Sequence, residues 1–201
     1  MLAFVIFVFA VAGMIKGTIG LGLPAVSMGL LSLVMSPFQA ATLLIIPSMV
    51  TNFWQLFAEG HVLRLVQRFW PLLVGMIIGS VWSFFPTLGH GEFQSEALLG
   101  GMLAIYGLYG LFAKNMPNLA PYEKYLSPIM GYLGGALTVA TGVVVIPVVP
   151  YLQSLHLKRD DLVQSLGLAF TVSTLCLATY LHRNPVENTP IDYQLSLIAL
   201  L

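Results

Sequence analysis

The feature that most constrains this chain is the stretch Gly13-Met14-Ile15-Lys16-Gly17-Thr18-Ile19-Gly20-Leu21-Gly22-Leu23-Pro24, set between two apolar runs. Its glycines and proline oppose a continuous helix, since glycine costs about 1 kcal/mol and proline about 3 at interior helix positions. The surroundings nonetheless demand helix. The chain is 58% hydrophobic and 8% charged, against about 25% charged for an ordinary soluble domain. Its apolar runs recur throughout and approach the ~20 residues that cross a hydrocarbon core. The sequence therefore predicts an all-α polytopic membrane protein in contact with the lipid bilayer.

Residues 2–35 are too many for one perpendicular span and too few for two, so two half-length helices, or a re-entrant pair, are expected around the glycine break. The run 2–12 resembles a signal-peptide core, but no basic residue precedes it and the pattern after it returns mid-chain. Further spans are expected over 39–57, 69–85, 98–113 and 162–180, with Arg64 and Arg68 in a connector. Polar residues 114–127, with Pro117, Pro121, Glu123 and Lys124, divide a first repeat at 1–113 from a second at 128–201. The chain stops at Leu201 inside an apolar run, which reads as a cut within a helix.

The repeat is visible in spacing. Gly131 and Gly135 follow Gly13 and Gly17 by 118 residues, and Pro147 follows Pro24 by 123. The larger offset continues, placing Ser165 opposite Thr42, Thr171 opposite Ser48 and Thr174 opposite Thr51. Repeats whose broken segments occupy matching positions are the sequence signature of secondary transporters. If each broken segment enters and returns on its own side, Arg64, Arg68, Lys114, Lys124, Lys158 and Arg159 share one side and Arg183 alone takes the other. That split satisfies the positive-inside rule better than one in which each broken segment crosses. It also makes the two repeats inverted.

Irregular backbone at membrane depth is tolerated only where it is buried in protein or lines an aqueous path. The break residues Gly17, Gly20, Gly22 and Pro24 are therefore expected on a pathway. The helix restarting near Pro24 would aim its positive dipole end at an anion there. Lys16 supplies a charge in the segment's core, and an intramembrane charge is a functional-site hypothesis by default. Thr18, Thr138 and Thr141 are candidate hydroxyl donors. Asn52 and Gln55 share a helix face expected to point at the break. The second break contributes Gly135, Gly142 and Pro147 to the same expected pathway.

The paired motifs GMIKGTIGLGLPAVSMGLLSL and GYLGGALTVATGVVVIPVVPYLQ, one opening each half, resemble those of the TauE/SafE family of bacterial membrane proteins over nearly the whole chain. The resemblance implies a two-module exporter of sulfite, sulfonate-derived or other small organic anions in the inner membrane. It also implies a chain somewhat longer than this one. The second motif departs from the pattern, with valines at Val143, Val144 and Val145 in place of a richer glycine cluster.

Other classes find less in the sequence. No GxSG or HExxH motif appears, and Gly17, Gly20 and Gly22 do not make a nucleotide loop, so neither an enzyme nor a cofactor is expected. Cys176 is the single cysteine, which precludes an internal disulfide and a thiolate metal cluster. A net charge of zero gives no footprint for nucleic acid. The acidic residues fall in predicted connectors or at span ends, leaving no carboxylate for a midplane proton relay. A scaffold without transport activity and a passive anion channel stay open as alternatives, as does a homo-oligomer.

Overall fold

The first apolar run breaks once, at Gly20-Leu21-Gly22, and passes through Gly13 and Gly17 as unbroken helix. In the computed structural model, which describes residues 2–58, 60–89, 92–112 and 117–185, there is helix and no strand. The helices are α1 (Leu2–Ile19), α2 (Leu23–Leu31), α3 (Pro37–Phe57), α4 (Val62–Val81), α5 (Glu92–Phe112), α6 (Glu123–Thr141), α7 (Val145–Ser154) and α8 (Arg159–Arg183). Among the described residues five helices are long and apolar enough to cross a membrane, and they include α1, α3, α4 and α8.

The two halves open alike. A helix of 18 residues, a short one of 9 and one of 21 begin the first half. Helices of 19, 10 and 25 follow in the same order from Glu123. The expectation of two half-length helices needs correction, because α1 reaches spanning length and only α2 is short. Glycine tolerates the interior positions 13 and 17, where the local cost is repaid by the apolar surroundings. At the breaks it is required where φ turns positive, at Gly20 (79°), Gly22 (104°) and Gly142 (76°).

Several expected connectors are helical. Arg64 and Arg68 ride on the first turns of α4, and Glu123 to Ser127 belong to α6. Each base finds an acid across an interface. Arg68 donates to both Glu123 carboxylate oxygens at 2.8 and 2.7 Å, and Arg64 donates to Asp161. The start of α4 is thereby held to the starts of α6 and α8 at one end of the bundle. Lys124, Lys158 and Arg159 lie at that end too, while Arg183 closes α8 at the other. Lys114, His90, Glu59 and residues 186–201 lie outside the described residues.

Side-chain bonds give the helix directions. Gln55 Nε2 donates to the Val163 carbonyl at 2.8 Å, Gln164 Nε2 to the Leu56 carbonyl at 2.7 Å, and Asn52 Nδ2 to Thr174 at 3.2 Å. As α3 counts down α8 counts up, so the two run antiparallel. Lys16 sits level with Asn52 and Gly20 level with Gln55, so α1 runs parallel to α3. In the second half, Tyr151 meets Ser127 at 2.6 Å and Val148 meets Gly134, so α7 folds back along α6.

The seam between α4 and α6 is backbone on backbone. Gly75 and Gly79 press on Pro128 and Tyr132, while Gly131 and Gly135 press on Leu72 and Met76. Small residues four apart on both helices permit this approach. Gly131 and Gly135 were expected at the second break, but their smallness serves this seam and the break begins at Gly142.

Candidate functional site

α3 is the axis of the site. Ser36 and Gln39 cap its start reciprocally, each backbone N–H meeting the other's side chain at 3.4 Å, and Pro37 occupies its first turn. Its inner face carries Ser48, Asn52 and Gln55, all buried, with Thr51 beside them. A lipid-facing amide would go unsatisfied, and these amides meet protein instead.

Gln55 Nε2 bridges the Gly20 carbonyl at 3.0 Å and the Val163 carbonyl at 2.8 Å. The bridge ties the first break to α8. Three residues earlier, Lys16 extends its ammonium to Thr51 Oγ1 at 2.9 Å and to the Asn52 side-chain carbonyl. Its Nζ also stands 5.9 Å from the centre of the Phe170 ring, within cation–π range. Lys16 is 6% exposed. Among the described residues no carboxylate pairs with it, the ion pairs being those of His61, Arg64 and Arg68 with Asp161 and Glu123. A buried cation held only by neutral groups leaves a positive potential in its surroundings.

One layer beyond Lys16 lies a cavity of about 20 Å³ between the two breaks. Pro24 reaches it from the first break and Gly142 and Val144 from the second. α3 adds Leu44, Ile45 and Ser48, and α8 adds Phe170, Ser173, Thr174 and Leu177. The space suits about one water, which needs roughly 10–15 Å³. Ser48 Oγ is buried without a hydrogen-bond partner. Ser173 shares its hydroxyl with Thr138 at 3.0 Å, and Thr174 receives the Asn52 amide.

Both short helices start beside this cavity without a side-chain cap, in contrast to α3. First-turn N–H groups have no partner within their own helix, so both starts are electropositive. Ile146 is extended (φ −106°, ψ 136°), and the regular part of α7 begins at Pro147, which sits in a first turn as Pro24 does. The missing proline N–H costs nothing there.

The predicted residues separate into groups. Lys16, Asn52, Gln55 and Gly20 form one bonded cluster, and Pro24 and Gly142 line the cavity. Lys16 touches this cavity through Phe170 and Asn52 and is not part of its wall. Gly22 turns the chain into α2. Gly17 and Thr18 are exposed, and Thr18 bonds back to Met14 and Ile15 at 3.1 and 2.9 Å. Thr141 bonds back to Leu137 at 2.7 Å, the usual fate of intramembrane threonine, and Gly135 stands in the α4 seam. Ser48, Phe170, Ser173 and Thr174 were not among the candidates. Three of them carried a signal, because Ser48 and Thr174 are members of repeat-matched pairs and Ser173 adjoins Thr174.

Two halves that open alike thus meet around a buried lysine that has no carboxylate partner among the described residues. The family described as Sulfite exporter TauE/SafE matches residues 5–201. The chain belongs to this family. Neither a search of curated proteins nor one of solved structures returns a match. TauE/SafE membership agrees with the helices long and apolar enough to cross a membrane. It makes the chain a member of a membrane transporter family of exporters.

Proposed function

We propose that the protein is an inner-membrane secondary transporter that exports a small anion of the sulfite, sulfonate or related organic class. The observation that carries the proposal is Lys16, a buried ammonium without a carboxylate partner, one layer from a cavity where both helix breaks meet. Such an arrangement favours a mobile anion as the missing counter-charge. Ser48 Oγ and the uncapped starts of α2 and α7 supply donors for its oxygens.

Inverted repeats support alternating access. The antiparallel run of α3 and α8, which hold matching places in the two halves, is what inversion requires. The hairpins α1–α2 and α6–α7 then enter from opposite faces, and the basic end with Arg64, Arg68, Lys124, Lys158 and Arg159 is cytoplasmic. Residues 1–113 and 128–201 act as the two modules. The cavity in its present size is a closed state that must widen to admit an anion.

The test is flux in proteoliposomes with sulfite, sulfonates, sulfate and small carboxylates. Saturable flux of one or more anions, lost in Lys16→Met and kept in Lys124→Ala, supports the site. Normal flux in Lys16→Met removes the lysine from the mechanism, and no flux of any anion removes the proposal.

A further inference from the structure

A second and larger cavity, of about 710 Å³, opens between the C-terminal halves of α4 and α8. Its lining is more apolar than polar but carries Ser80, Cys176, Thr179, Tyr180, Arg183 and Asn184. The Ser80 and Thr179 hydroxyls bond to the Ile77 and Leu175 carbonyls, each at 2.8 Å, and Ser80 also hydrogen-bonds with the Cys176 thiol. Arg183 is exposed in the last turn of α8. Among the described residues it has no ion-pair partner, and it is the only lysine or arginine at this end of the bundle. A guanidinium in the last turn of a spanning helix reaches the membrane interface, where it meets water and passing charged solutes.

α8 is the wall between this cavity and the central one. Ser173, Thr174 and Leu177 face inward, while Leu175, Cys176 and Thr179 face the larger space. Neighbouring residues of one helix thus serve both. We propose that the larger cavity is the water-filled port through which the anion leaves on the side opposite the basic end, and that Arg183 selects for negative charge there. The inference rests on the transport reading for what passes, and on its own residues for where. A shift of α8 joins the two spaces.

Cys176 makes the port testable, because it is the single cysteine of the chain. By the helix rise of about 1.5 Å per residue it lies roughly 10 Å below Arg183. Methanethiosulfonate reagents react with its thiolate to form a mixed disulfide and release methanesulfinate. The full chain in oriented vesicles is treated from the Arg183 side with the sulfonatoethyl (anionic) and trimethylammonioethyl (cationic) reagents, and each rate is normalised to that of a free thiol. The expected result is faster labelling by the anion, with Arg183→Gln lowering that rate about 3-fold or more and not lowering the cationic rate. Lys124→Gln, at the far end, changes neither. Should the native thiol be too hindered to react, Thr179→Cys in a Cys176→Ser background gives the same readout.

Labelling of either position only by membrane-permeant N-ethylmaleimide would make the space a lipid-filled groove and overturn the port. So would equal anionic and cationic rates that Arg183→Gln leaves alone. Anion-selective labelling without flux of any of the tested anions would count against the transport reading and leave the port standing.

Discussion

Asn52 donates its side-chain amide to the Thr174 hydroxyl at 3.2 Å, joining residues 122 apart in sequence. The carbonyl of the same amide accepts from Lys16. One neutral side chain therefore links the cation of the first break to the wall of the central cavity. Its neutrality leaves the charge of Lys16 available.

Replacing Asn52 with Asp keeps the shape of the link and supplies the missing carboxylate. Asn52→Asp is expected to retain its melting temperature in detergent and to lose at least about 10-fold in anion flux, an opposite charge within 4 Å being worth far more inside a protein than in water. Asn52→Leu should instead lose stability, by about 1.5–3 kcal/mol, because a hydrogen bond to a charged group is removed. Wild-type flux in Asn52→Asp would refute the role of an uncompensated Lys16.

Ser48 presents a buried hydroxyl that no protein group satisfies. Deleting such a group is neutral or stabilising for the fold. Ser48→Ala should therefore leave thermal stability level or slightly higher while raising the anion KM about 10-fold or more, the loss of one hydrogen bond to a charged group. A fall in stability with unchanged KM would show that the hydroxyl serves the fold and not the anion.

The glycines divide into those that hold helices together and those that hold nothing. A Cβ on Gly135 would run into the Met76 carbonyl, whereas one on Gly107 would meet nothing within 4 Å. Gly135→Ala is expected to cost about 1–3 kcal/mol through forced separation of α4 from α6. Gly107→Ala should be neutral or gain up to about 1 kcal/mol in helix propensity. Denaturation of both variants in one detergent checks the contrast.

Orientation is open to direct measurement in a Cys176→Ser background. Cysteines at 64 and 158 should label from the cytoplasmic side and a cysteine at 183 from the outside. External labelling at 158 with 64 cytoplasmic would defeat the arrangement in which each hairpin returns to its own face.

Much of this was legible in the chain because it follows from local composition. Apolar run lengths announce helices long enough to cross a membrane, and the common offset of 123 links Thr51 to Thr174 and Pro24 to Pro147. The shared face of Asn52 and Gln55 is a matter of helical periodicity alone. Positions 13, 17, 131 and 135 could not be sorted this way. A glycine reads identically in sequence whether it reverses the chain, as Gly20, Gly22 and Gly142 do at positive φ, or lets two helices touch, as Gly135 does.

By itself, then, the sequence determined a helical membrane protein with a lysine at its first break and motifs recurring at matching offsets, since hydrophobic run length and spacing are properties of a chain taken in order. Only the tertiary structure decided that Lys16 lies beside Asn52, that Phe170 stands between it and the cavity, and that Pro24 and Gly142 share one space. Those contacts depend on which way each helix runs and where α3 crosses α8. Side chains far apart in sequence impose that crossing when they satisfy one another away from water.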